Sequence, residues 1–293
     1  MQNRTRVDVE IQLAAKQVFE GVAPERAADL NALWERYNPK FHLLPDAGPD
    51  GLFVMEGGRF RDVAFNHRAL RAFWLGSFIA WEGYLWTHEH VSGRTASFDR
   101  FESMVATFHQ ILTEEDPLSV ALPTGVPEPG NYPDAQMYPH ERVASELATF
   151  ATGWAFLHEI WHLKHQQKDS GAKQGDAPEA FHDEELSCDE FATKFILEGV
   201  ETYAQHESAD PDKVRQKREL GIYFALFAMT LISVEDWSAS DTHPAMQERI
   251  DATIRLMDDS GTRISDAIAH AAFAALWQMW PEAPGPFRSP AKD

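Results

Sequence analysis

The sequence predicts a mainly α-helical protein with one small β element. Apolar residues recur at three- and four-residue spacing through most of the chain, the period of a helix that buries one face. The Gly57-Gly58 pair, flanked by alternating apolar residues, gives the clearest hairpin signal. With 44% hydrophobic and 12% aromatic residues in 293, the chain has ample material for a core.

Taken in order, residues 24–37 place Ala27, Leu30, Leu33 and Trp34 at helical spacing. Pro24 stands near the start, where a missing N–H is harmless. Residues 52–63 form the expected hairpin, turning at Gly57-Gly58. Residues 68–86, dense in aromatics, and 97–112 predict the next helices. Residues 117–139 hold six prolines and read as a loop, with 118–122 as a candidate short strand. Helices then follow over 141–167, 184–205, 212–234, 244–258 and 264–280. The expected organisation is an N-terminal helical region with the hairpin (1–140), packed on a helical core (141–280), with an irregular tail (281–293). These parts are expected to form one compact unit.

Charge excludes several partners. Lys and Arg number 26 against 46 Asp and Glu, a formal charge of −20 that repels nucleic-acid phosphates and anionic lipids. Cys188 stands alone, so no intramolecular disulfide or thiolate cluster forms, and it reads as a small buried packing residue. The first residues lack an apolar signal core, and the apolar runs 72–81 and 221–234 fall short of the roughly 20 residues that span a bilayer. The expectation is a soluble, cytoplasmic protein that handles a protein or peptide, with no nucleic acid and no integral membrane segment.

The chemistry concentrates in His158-Glu159-Ile160-Trp161-His162, an HExxH pattern. Residues four apart share a helix face, so two imidazoles can hold one Zn²⁺, and Glu159 beside them can take a proton from the attacking water and deliver it to the leaving amine. The helix carries an apolar stripe, Val143, Leu147, Phe150, Trp154, Leu157 and Trp161. The histidine line continues toward its N-terminus as Ala144, Ala148, Ala151 and Ala155, small enough for a close neighbour.

A catalytic zinc needs a third protein ligand. His165 shares the face but lies seven residues from His158, about 10.5 Å along the axis, too far for bonds of about 2 Å. Glu185 is the better candidate, with Glu184 and Asp183 as alternatives in register. Asp189, one turn on, can accept the N–H of a ligating imidazole. The intervening loop is long enough to return the chain antiparallel.

HEIWH followed by Glu185-x-x-x-Asp189 resembles the gluzincin metallopeptidases, and Asp189-Glu190-Phe191-Ala192 is similar to their CAAX-prenyl-protease-like branch. Thr242-His243-Pro244, with Arg249-Ile250 behind it, resembles that branch's downstream segment. Length and motif position also resemble the bacterial Lit-type phage-exclusion peptidases, whose target class is elongation factor Tu. Cys188 stands where the branch usually has Ala, and the branch's membrane spans are missing.

The resemblance implies a zincin-like helical domain and a zinc-dependent endopeptidase with Glu159 as general base. It also implies a phage-defence setting and a translation factor as substrate. It places His243 at the developing oxyanion, against the plainer reading of a helix N-terminal residue with Thr242 or Asp241 as cap. Arg249 reads as an ion-pair residue, and His88-Glu89-His90 as solvated surface. Two rivals stand beside the peptidase: a non-catalytic zinc-binding structural or regulatory protein, and a helical defence or toxin-like interaction protein.

Overall fold

The computed structural model describes residues 8–37, 42–44, 53–57, 63–95, 97–234, 236–257 and 263–287. Helix α1 (Asp8–Gly21) leads through a 3₁₀ turn (Pro24–Arg26) into α2 (Ala27–Tyr37). Strands β1 (His42–Leu44), β2 (Met55–Gly57) and β3 (Val63–Asn66) come next, then α3 (His67–Val91) and α4 (Asp99–Thr113). The second half holds α5 (Pro139–Gln167), α6 (Pro178–Glu198), α7 (Val200–Glu207), α8 (Pro211–Ile232), α9 (Met246–Leu256) and α10 (Ile264–Met279). The fold is mainly α with a small sheet, as the sequence predicts.

Helix α5 is the axis of the molecule, packed by α1, α3, α6 and α8. The sequence predicts a one-sided stripe on α5, but burial runs all round it, because Ala144, Ala148 and Ala151 are as buried as Leu147 and Trp154. Val143, at the outer end of the stripe, is exposed. Small residues allow this enclosure: a Cβ on Gly221 of α8 would lie 2.3 Å from Phe150 Cβ, so the two helices meet at a glycine.

The sheet has the order β1-β3-β2, with β1 parallel and β2 antiparallel to β3. Gly57 pairs with Val63, so Gly57 is a strand residue and not part of a two-residue turn; the link 58–62 lies outside the described residues. Strand β3 runs straight into α3, where the Asn66 side chain caps the helix by accepting from Ala69 N–H at 3.0 Å.

Other expectations need correction. Residues 118–122 form no strand. Buried arginines of α3 hold this region instead: Arg68 donates to Ile111 O (2.6 Å) and Glu114 O (2.7 Å), and Arg71 to Pro117 O and Val120 O (2.8 Å). The Val120 carbonyl, which a ladder would have used, is thereby satisfied. The helix expected over 184–205 starts earlier, at Pro178, and breaks at Gly199. There Glu25, held by both guanidinium nitrogens of Arg218, comes so close that a Cβ would meet its Oε1 at 1.9 Å. Helix α1 was not anticipated, although Ala14, Ala15, Val18 and Phe19 bury one helical face. No described helix is long and apolar enough to cross a membrane.

Candidate active site

Helices α5 and α6 pack together and bring the predicted donors to one point. His158 and His162 sit one turn apart with their Nε2 atoms 3.1 Å from each other. Glu185 reaches both: Oε2 lies 3.3 Å from His158 Nε2, and Oε1 lies 3.3 Å from His162 Nε2. Ligands held about 2.0–2.1 Å from a tetrahedral ion stand roughly 3.3 Å apart, so this donor set suits a single zinc-sized cation.

Carboxylates behind the rings hold them in that orientation. His158 Nδ1–H donates to Asp189 Oδ1 at 2.8 Å. Asp189 is gripped in turn by Arg249, through Nε at 2.9 Å and Nη2 at 2.7 Å. His162 Nδ1–H donates to Glu184 Oε1 at 2.6 Å, and Glu184 Oε2 accepts the Ala172 N–H at 2.6 Å. Each imidazole therefore presents Nε2 to the common point. Glu184, weighed from sequence only as an alternative ligand, supports His162 instead. Its signal was present, since two adjacent glutamates on one helix can face two successive turns of a partner.

The charges are strongly coupled. Burial opposes protonation of His158 and His162, but Asp189 and Glu185 outweigh it at His158, and hydrogen bonds with Cys188, Glu184 and Glu185 outweigh it at His162, so both imidazoles are raised above their ordinary value. Burial would raise Glu185, yet hydrogen bonds from the two histidines hold it well below the usual carboxylate range. Burial likewise works against Asp189, and the Arg249 charge reverses it. A pocket with this carboxylate excess takes positive charge either as protons on its imidazoles or as a cation.

Cys188 is fully buried, as expected of a packing residue, and it also adjoins the histidines. Its Sγ lies within 4.8 Å of ligand atoms of His158 and His162, so it is a second candidate for the third position. Burial pushes its thiol up to about 12, which keeps it protonated, whereas the Glu185 carboxylate is ionised and touches both rings. The geometry favours Glu185.

Glu159 faces a cleft of about 760 Å³ whose walls include Phe53, Met55, Phe73, Trp154, Met229 and Trp237. Burial pushes its carboxyl up, the neighbouring histidine charges pull it back, and Gly57 N–H donates to Oε2 at 2.6 Å. His243 borders the same cleft from the loop before α9, 58% exposed, with Nε2 3.7 Å from Glu185 Oε1 and Nδ1 2.8 Å from Thr242 Oγ1. Neither Thr242 nor Asp241 caps a helix, because α9 starts only at Met246. Arg249 forms the expected ion pair. His165 turns away, to Ser170 Oγ (3.1 Å) and Ser187 Oγ (3.2 Å). His88, Glu89 and His90 lie exposed at the end of α3.

From the sequence, the 52–63 hairpin or 118–122 is expected to supply a substrate edge and His243 to face the site; β2 and His243 do line the cleft, 118–122 does not, and the wall residues Met229 and Trp237 were not anticipated. No curated protein and no solved structure matches the chain. The model of the Peptidase U49 family matches residues 63–272, from β3 into α10, and so covers both helices that bear the clustered histidines and carboxylates. With more than half of its length matched, the chain belongs to the Peptidase U49 family and is a peptidase.

Proposed function

We propose that this peptidase is a zinc-dependent endopeptidase of the gluzincin type, acting in the cytoplasm on an extended segment of a protein. The observation that supports it most is the mutual 3.1–3.3 Å spacing of His158 Nε2, His162 Nε2 and the Glu185 carboxylate, open to a cleft beside Glu159. His158, His162 and Glu185 would hold the ion, which supplies Lewis-acid activation of water and of the scissile carbonyl. Glu159 takes the proton of the attacking water and hands it to the departing amine. Asp189 and Glu184 keep the two imidazoles aimed, and His243, at the cleft rim, donates toward the oxygen that becomes negative.

Substrate would lie along β2, the edge strand of the sheet that faces the cleft. Pairing to backbone there is indifferent to sequence, so selection falls to the cleft walls. Elongation factor Tu, the target class implied by the Lit-type resemblance, is the first protein to inspect.

The test is to load the wild type and Glu159→Gln with zinc, incubate each with a cytoplasmic lysate, and map new protein termini. Termini made only by the wild type, with about one zinc in each protein, support the proposal. Equal sets overturn it. A closed structural zinc site is the second reading, because Cys188 supplies a possible fourth ligand within 4.8 Å of the histidines. X-ray absorption distinguishes the two, since a sulfur ligand at about 2.3 Å would favour the structural site.

A further inference from the structure

Strand β2 lies N-terminal to the span matched by the family, yet it touches the centre of the site. Asn66 N–H donates to Val54 O at 3.1 Å, which makes Met55 and Phe65 a non-hydrogen-bonded pair of the antiparallel ladder. By alternation Gly57 and Val63 form another such pair, so the Gly57 N–H and C=O point away from β3. They point at α5. The N–H donates to Glu159 Oε2 at 2.6 Å, and Gln166 Nε2 donates to the Gly57 carbonyl at 3.4 Å.

The approach is backbone to backbone. A Cβ at position 57 would lie 2.0 Å from the Glu159 carbonyl oxygen and 2.9 Å from its carbon, so only glycine lets the strand come this near. The need for glycine here is proximity, not turn conformation.

We infer that Gly57 is a positioning residue for Glu159: its N–H fixes the carboxylate that acts as general base, and its missing side chain allows that contact. The inference rests on the endopeptidase reading. A carboxylate has two oxygens. With Oε2 bound to the strand amide, rotation of the group is arrested and Oε1 is left for the water proton. The bond also marks one end of the β2 edge, since the outward N–H of Gly57 is already taken while Met55, two residues back, points its backbone to the same side at the cleft. A peptide paired along Met55 would then meet Glu159 where the strand pairing stops.

The experiment removes the N–H without adding a side chain, and its one further change is a weaker acceptor at the carbonyl of Glu56, which pairs with Ala64. Gly57 is replaced by glycolic acid through nonsense suppression, turning the 56–57 amide into an ester in the full-length, zinc-loaded chain. A peptide spanning the strongest cleavage mapped in the lysate is the substrate. The inference expects kcat to fall about 10- to 100-fold, the cost of misplacing a reacting group, with KM and zinc stoichiometry unchanged. Gly57→Ala should lose more activity, because its Cβ meets the Glu159 backbone.

A second readout needs no activity. In zinc-free protein labelled with ¹⁵N-glycine, the Gly57 amide resonance is the one absent from the ester variant. It should move upfield and exchange faster in Glu159→Ala. An unmoved resonance overturns the inference, as does an ester variant with wild-type kcat. A change confined to KM or zinc content also overturns it, because the bond would then serve strand docking or the metal pocket alone. A wild type that cleaves nothing, with the resonance shift present, instead marks failure of the endopeptidase reading, and the catalytic role of Gly57 falls with it.

Discussion

The two walls of the cleft differ in how they are built. One is the α5–α6 pair, whose clustered histidines and carboxylates lie between His158 and Asp189 and meet because residues four apart stack on a helix face. The other consists of β2 and the loop between α8 and α9, which come from opposite ends of the chain and meet only in the folded molecule. The first wall holds its groups through buried hydrogen bonds, such as Asp189 to His158 and Arg249 to Asp189. The second offers aromatic and thioether side chains, one backbone amide and the half-exposed His243. The clustered titratable groups thus belong to a local helical motif, while the facing wall of the cleft depends on tertiary folding.

The largest effects should follow from breaking the helical wall. His158→Ala, His162→Ala or Glu185→Ala is expected to reduce bound zinc from about one per chain to none and to abolish cleavage, read by metal analysis on the purified protein. If His243→Ala removes the metal equally, the ligand set belongs to both walls and the contrast fails. Next in size are the residues behind the ligands. Asp189→Asn and Glu184→Gln should each weaken zinc about 10- to 100-fold in a chelator competition. Asp189→Asn should also cost about 3–5 kcal/mol of stability, because it leaves the buried Arg249 charge without its bidentate partner.

Much of the helical wall was readable because its information is short-range. The spacing of His158 and His162, and of Glu185 and Asp189, needs only 3.6 residues per turn to place each pair on one face. The division of labour between Glu184 and Glu185 was not readable. It depends on how α6 is rotated against α5, and a shift of one position exchanges a residue facing the Nε2 atoms for one facing Nδ1 of His162. The hairpin was seen but its turn was misplaced, because a glycine pair suggests positive φ, while Gly57 is required for contact with Glu159. The 118–122 segment has strand-like composition but finds arginine side chains where a strand would find a ladder. Helix α1 was not read from the sequence, because its buried face, Ala14, Ala15, Val18 and Phe19, carries only two large apolar residues.

Acidity should separate zinc-free from zinc-loaded protein. Both imidazoles are raised above the ordinary 6.5 without metal. A raised imidazole adds stability that is fully present below pH 6.5 and is lost as pH climbs through the folded value. Asp189, held below its ordinary 3.8, adds stability that is present above that pH and lost as pH falls below it. The zinc-free protein should therefore melt at lower temperature as pH rises above 6.5, while the zinc-loaded protein resists this change. Zinc affinity should rise over the same range with proton release into a weakly buffered solution, because the ion must displace those protons. A zinc-free Tm that is flat between pH 6.5 and 9, together with proton-neutral binding, would show that the pocket is not charge-starved.

The smallest expected effect is the one that sharpens the comparison most. His165 lies on the same helical line as His158 and His162, so helix periodicity alone would enrol it in the site. Rise per residue argues otherwise, since seven residues carry it about 10.5 Å along the axis from His158. The fold agrees with the distance argument: both ring nitrogens of His165 are engaged by hydroxyls, Ser170 Oγ at 3.1 Å and Ser187 Oγ at 3.2 Å, and none of the three residues lines the cleft. Burial lowers its pKa, opposite in direction to its two neighbours, and the Glu184 charge that pulls it upward is too weak to reverse that. His165→Ala should leave zinc stoichiometry at about one per chain, change affinity by less than about twofold, and cost about 1 kcal/mol from the two hydroxyl contacts. Chelator competition and thermal melting on the same preparation read both quantities. Loss of zinc in this variant would mean that α5 bends enough to bring a third turn to the metal, and the donor set built on Glu185 would have to be redrawn.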